Sequence, residues 1–134
     1  MTAPTALPAW TGMATNADSL AWAQVLRDDN PLHADPAVAG QSGLGEGLVN
    51  PGPAGIAYLM TMLLQAFPGA SIRRMQCRFL APVITPAELV ASGTVESRER
   101  VAGAEILHVV LELRARGTPA IAARAVVSIP EASP

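Results

Sequence analysis

From residue 74 to residue 129, apolar side chains recur at every second position in four successive segments. Between Arg74 and Val83, Met75, Cys77, Phe79 and Ala81 alternate with Arg74, Gln76, Arg78 and Leu80. From Glu88 to Glu96, Leu89, Ala91 and Val95 alternate with Glu88, Ser92, Thr94 and Glu96. Leu107, Val109, Leu111 and Leu113 keep one phase between Glu105 and Ala115, against His108, Glu112 and Arg114. Between Pro119 and Ile129, the phase Ile121, Ala123, Ala125, Val127 and Ile129 opposes Arg124 and Ser128. A period of two matches the pleat of a strand, so the patterning predicts an antiparallel sheet with one buried face. Arg100–Gly103 and Gly117-Thr118 supply turns.

Ahead of these strands lies a segment of different character. Ala54–Phe67 is apolar nearly all round, with Pro53 at its start and Pro68-Gly69 just past its end. That bracketing predicts a helix of about four turns. A helix so apolar belongs inside a domain or at an interface. Tyr58, Thr61 and Gln65 share one face, to line a ligand tunnel or to satisfy one another between subunits. Ala54 and Gly55 leave the first turn bare, open to close approach by a backbone or a ligand. One buried helix followed by four antiparallel strands defines an α+β domain.

Length and composition set the limits. The 134 residues make one domain over 1–134, large enough to bury a core without staples. Half the residues are hydrophobic, 15% are charged and the net charge is −2, which argues against a nucleic-acid partner. The longest apolar run, near Gly55–Leu64, is too short to cross a bilayer, so no membrane partner is expected. The N-terminus lacks a basic region followed by an apolar core, so no signal peptide is expected. Cys77 is the only cysteine, which fits a reducing, cytoplasmic setting. High apolar content with low charge in a small chain points to a homodimer or larger homo-oligomer. No cluster has metal-ligand spacing, and neither a metal nor a cofactor is expected.

In the N-terminal part, Met1–Pro8 reads as loose, Ala9–Thr15 as a short strand, and Thr15 or Asn16 as the cap of a helix over Asp18–Leu26. Gln41–Gly47 (QSGLGEG) reads as a flexible loop, and its lack of a terminal Lys-Ser/Thr excludes a phosphate loop. Between them lies the stretch that carries chemistry, Arg27-Asp28-Asp29-Asn30-Pro31-Leu32-His33-Ala34-Asp35-Pro36. Pro31 disfavours helical geometry at Asn30, so the helix should stop at about Asp28 or Asp29. Asp35-Pro36 looks like an N-cap and a first-position proline of a second short helix over Ala37–Gly40. A rigid turn here aims Asp28 and His33 at one point, a plausible general acid–base pair acting through one water. As a purely local feature, the same residues would serve as a helix stop with capping carboxylates.

The run Asp28-x-Asn30-Pro31-x-His33, followed by Asp35-Pro36 and a small-residue helix, resembles the signature of the MaoC-like (R)-specific enoyl-CoA hydratases. The resemblance extends over nearly the whole chain in element order. It implies a hot-dog fold, an antiparallel sheet wrapped around a long central helix. It further implies action on acyl thioesters of coenzyme A or acyl carrier protein. In such enzymes an Asp and a His hold the water that adds across the 2,3-double bond. By motif these are Asp28 and His33, with the choice of base left open. The thioester carbonyl needs a donor, and Gly52, at the start of the helix, matches the glycine of the family's His-Gly pair. The pair here reads Pro51-Gly52, so whatever the histidine contributes is absent. Gly52, Asn30 and Asn50 are the candidates for substrate binding, although Asn30 also suits bracing of the turn. His108 reads as a surface or interface histidine and Cys77 as a core thiol. Arg73, Arg74 and Arg78 suit either phosphates of coenzyme A or a solvated face. Two other functions compete. A thioesterase would place a carboxylate on or beside the central helix, and Pro53–Phe67 has none. A non-catalytic thioester-binding or partner subunit fits the Pro51 departure but not the intact Asp28/His33 pair.

Overall fold

The computed structural model describes residues 4–43 and 47–131. The chain opens with β1 (Thr5–Ala6), β2 (Trp10–Ala14) and α1 (Asn16–Leu26). A 3-10 turn at Pro31–His33 and the short α2 (Pro36–Gln41) lead to α3 (Gly52–Ala66). Four long strands complete it: β3 (Ser71–Phe79), β4 (Ala87–Val101), β5 (Ala104–Ala115) and β6 (Thr118–Pro130). They form one antiparallel sheet in the order β1-β4-β5-β6-β3, with β2 also paired to β4.

The alternation seen in the sequence is the burial pattern of the sheet. Leu107, Val109, Leu111 and Leu113 of β5 are buried, as are Leu89, Ala91 and Val95 of β4 and Ile121, Ala123, Ala125 and Val127 of β6. They close over Leu59, Met62 and Leu63 of α3. This is the hot-dog arrangement, a sheet packed around one apolar helix. Gly55 lets that helix come close: a Cβ there would lie 2.5 Å from Ile121 Cδ1.

Several bounds differ from the sequence expectation. β4 continues to Val101 because Ser97–Val101 pair with Ala104–His108 across a tight hairpin. β3 begins at Ser71, where Ser71 and Ile72 find partners on β6, and a bulge between Ile72 and Arg74 resets its register. It stops at Phe79, short of Pro82. Thr5 and Ala6 are not loose but pair with Val95 and Thr94. The β5–β6 turn takes Arg116 and Gly117 at φ 51° and 78°, a two-residue connection whose twist suits a hairpin. α1 ends at Leu26, not at Asp28 or Asp29. Arg27 adopts a left-handed conformation (φ 52°), and the Asp28 N–H bonds back to the Ala23 carbonyl, closing the helix before Pro31 acts. The glycine-rich loop lies partly outside the described residues.

Candidate active site

The sequence between α1 and α2 folds through a succession of side-chain caps. Thr15 and Asp18 form a reciprocal capping box at the start of α1. At its end, Asp28 Oδ1 accepts from the Asn30 N–H at 3.0 Å. Asn30 Oδ1 in turn accepts from the Leu32 N–H at 3.1 Å and caps the 3-10 turn. Asp35 Oδ1 accepts from the Ala37 N–H, with Pro36 in the first helical position of α2. Asx residues fold short turns in this way because their side chains mimic a backbone acceptor. Asn30 therefore braces the turn, and Asp28 is held by one oxygen with the other free to point elsewhere.

That second oxygen points at His33. Asp28 Oδ2 lies 3.2 Å from His33 Nε2, with the imidazole 12% exposed and the carboxylate 39% exposed. The other ring nitrogen, Nδ1, lies 2.6 Å from the Val49 carbonyl oxygen. A carbonyl accepts only, so Nδ1 carries the hydrogen and Nε2 is the nitrogen available for proton exchange. Residue 49 grips the turn twice, because its N–H also donates to the Leu32 carbonyl at 2.8 Å. Val49 is itself fixed by a bridge to Ile84 and by the Asn50 N–H donating to the Val83 carbonyl. Behind the turn, the buried Ser19 hydroxyl reaches the His33 carbonyl at 2.9 Å and the Val49 carbonyl at 3.2 Å.

A pocket of about 170 Å³ opens beside His33, walled by Asn50, Pro51, Gly52 and Gly55 on one side and by Phe79, Pro82 and Ile121 on the other. α3 begins here with Pro51 as its cap residue and no side-chain hydrogen bond at its N-terminus. Its first turn therefore keeps backbone N–H groups, Gly52 among them, without a side-chain acceptor. A Cβ on Gly52 would lie 3.0 Å from Phe79 Cε1, so any larger residue would push the ring back from the helix start. Larger hollows of about 470 and 250 Å³ lie over Gln76 and Arg124 on the sheet, but neither includes Asp28 or His33.

The remaining candidates fall in different places. Asn50 lines the pocket, yet its carboxamide is sealed off and makes no hydrogen bond, although the Tyr58 hydroxyl comes near it. Burial pushes Tyr58 above its ordinary value, outweighing the opposing pull of Asn50 and Trp22. Tyr58 stacks on Trp10 with ring centroids 5.3 Å apart. Thr61 donates to the Ala57 carbonyl within its own helix and Gln65 is exposed, so within one chain these three are not bonded to one another. Arg73, Arg74 and Arg78 are exposed on β3. His108 pairs with Glu99 at 3.2 Å, away from the pocket. Cys77 is partly buried against the core, and burial raises its thiol. The Val49 carbonyl and Ser19 were not foreseen. A backbone acceptor leaves no trace in side-chain identity, and a serine in a helix of weak amphipathic pattern reads as neutral.

Fold and site together describe a hot-dog protein in which the imidazole of a carboxylate–imidazole pair lines a pocket that also takes in the N-terminus of α3. Residues 5–114 match the MaoC-like domain, and the chain belongs to that family. Solved structures agree in fold. An (R)-hydratase from A. caviae involved in PHA biosynthesis superposes with a TM-score of 0.85 at 22% identity, over 97% of this chain and 98% of that one. A MaoC-like dehydratase from Rhodospirillum rubrum gives 0.84 at 18% identity, over 100% and 96%. The ChsH1-ChsH2 complex from Mycobacterium tuberculosis gives 0.83 at 17% identity, over 96% and 98%. A comparison with curated proteins finds no match.

Proposed function

We propose that the chain hydrates trans-2-enoyl thioesters of coenzyme A or acyl carrier protein to (R)-3-hydroxyacyl thioesters, or dehydrates them in reverse. The observation that carries this reading is the 3.2 Å approach of His33 Nε2 to Asp28 Oδ2 beside the start of α3. In the forward direction a water held by the pair loses a proton to one member, and its oxygen bonds to C3 of the enoyl group. The π electrons of the double bond shift toward the thioester carbonyl, and the other member delivers a proton to C2. On His33 the exchanging atom is Nε2, because Nδ1 is committed to the Val49 carbonyl. Charge developing on the thioester oxygen is met by the Gly52 N–H at the positive end of α3. Asn50 lines the pocket that takes the acyl group and Asn30 acts through the turn that holds Asp28, neither of them reacting. Family membership and the fold of the A. caviae (R)-hydratase support the assignment.

The test follows loss of the conjugated thioester absorbance on a short trans-2-enoyl-CoA, for wild type, Asp28→Asn and His33→Ala. A general acid–base group contributes about 10²–10⁴-fold, so each variant is expected to lose that much of kcat. Retained hydration in either variant overturns the dyad. Thiol release without hydration would support a thioesterase instead, although α3 carries no carboxylate. A second reading, a non-catalytic thioester-binding partner subunit, draws on Pro51 in place of the family histidine. It predicts binding without turnover in both assays. The same reading of the chain as an acyl-thioester enzyme includes self-association, at least to a homodimer, and a cytoplasmic setting. Among the described residues no helix is long and apolar enough to cross a membrane.

A further inference from the structure

The Val49 carbonyl that holds His33 Nδ1 at 2.6 Å is also 3.2 Å from the hydroxyl of Ser19, and that hydroxyl is 2.9 Å from the carbonyl of His33 itself. We propose that Ser19 is a positioning residue for His33. Its hydroxyl ties the backbone of residue 33 to the backbone of residue 49, so the imidazole keeps Nδ1 on Val49 and Nε2 toward Asp28.

The chemistry of the hydroxyl supports a tether rather than simple packing. It has one hydrogen and two carbonyl neighbours, so it donates to one at a time, and the shorter distance favours His33. α1 buries two side chains, Ser19 and Ala23, one turn apart. A methyl suffices for packing at Ala23, so the oxygen at Ser19 adds something that packing on this face does not need. Ser19 is fully buried, where an unpaired hydroxyl is costly, and both of its acceptors belong to the two segments that orient the imidazole. Without it, the ring would still meet Val49 and the Val49 N–H would still hold the Leu32 carbonyl, but the carbonyl of residue 33 would lose its own tie and the tilt of the ring toward Asp28 would loosen.

The kinetic part of the inference rests on Asp28 and His33 being the reacting pair, whereas the placement of the ring can be measured without substrate. Nitrogen-15 NMR of the imidazoles reports which ring nitrogen carries the hydrogen. The chain has two histidines, and His108, paired with Glu99 far from Ser19, is an internal control. Wild type is expected to show neutral His33 as a single Nδ1-protonated tautomer. Ser19→Ala is expected to show a mixture of tautomers, and its hydration kcat to fall roughly tenfold, the scale of one neutral hydrogen bond, with KM little changed. Ser19→Thr, which keeps the hydroxyl, is expected to retain both. Unchanged His33 signals in folded Ser19→Ala overturn the proposal whether or not the protein turns over substrate. Altered signals with unchanged kcat overturn the role in the reaction. If Ser19→Ala does not fold, Ser19→Cys, a weaker donor, is judged by the same criteria. If wild type itself fails to hydrate, the function proposed above falls and the NMR comparison alone decides the placement.

Discussion

Tyr58 shows how a single buried group leaves a signature at alkaline pH. Burial holds its hydroxyl above the ordinary value of 10.0. In the unfolded chain the phenol ionises near that value, while in the native state it keeps its proton to higher pH. The native state therefore binds more protons there, and the stability present below about pH 10 is lost as pH rises through the folded value. Because the chain has one tyrosine, phenolate absorbance reads Tyr58 alone. Its titration is expected above the ordinary midpoint, and Tyr58→Phe is expected to flatten the loss of stability over the same range. A titration at the ordinary midpoint would contradict this. Cys77 acts in the same direction from a lower starting value, 9.0, so the comparison is best made in a shared Cys77→Ser background. At this scale the site was legible where contacts are short-range. Asp28, Asn30 and His33 lie within six residues, and the turn that joins them is written in Asx and proline chemistry. The Val49 contact was not legible, since it depends on a bridge to Ile84 thirty-five residues away and on a main-chain oxygen.

Among elements, α3 offers the sharpest contrast. Leu63 is fully buried under the sheet and its neighbour Leu64 is 45% exposed. Leu63→Ala is expected to cost about 2–5 kcal/mol, the usual range for a buried leucine. Leu64→Ala is expected to stay within about 0.5 kcal/mol, as exposed positions do. Denaturant unfolding of the two variants, with equal m-values, checks both. Equal costs would mean that the outer face is covered in solution. The all-round apolar pattern announced a central helix but not which residues face inward, because that depends on where the sheet lies. Strand phases were readable because a buried face leaves a count of alternating residues. β1 was not, since two residues have no periodicity to count. The early stop of α1 was hidden too, because arginine rather than glycine takes the left-handed position at residue 27.

For the molecule as a whole, the sheet leaves one long edge open. Among the described residues β3 pairs only with β6, and Phe79 and Leu80 at its end are exposed, as are Met60 and Leu64 on the helix. Free strand edges with apolar neighbours are templates for association. Sedimentation velocity is expected to give a dimer or larger species at micromolar concentration, and a monomer there would overturn the expectation. The placement of the site has a different consequence. Asp28, His33 and the Val49 carbonyl are clamped on the segment between α1 and α3, whereas much of the pocket wall comes from the first turn of α3 and from β3 and β6. Under the proposed function, the reacting pair and the pocket wall thus have separate addresses in the chain. Exchanging residues such as Gly55, Phe79 or Ile121 would reshape the pocket without touching the Asp28–His33 pair. Pro51, where the signature that the sequence resembles has histidine, stands on that same wall.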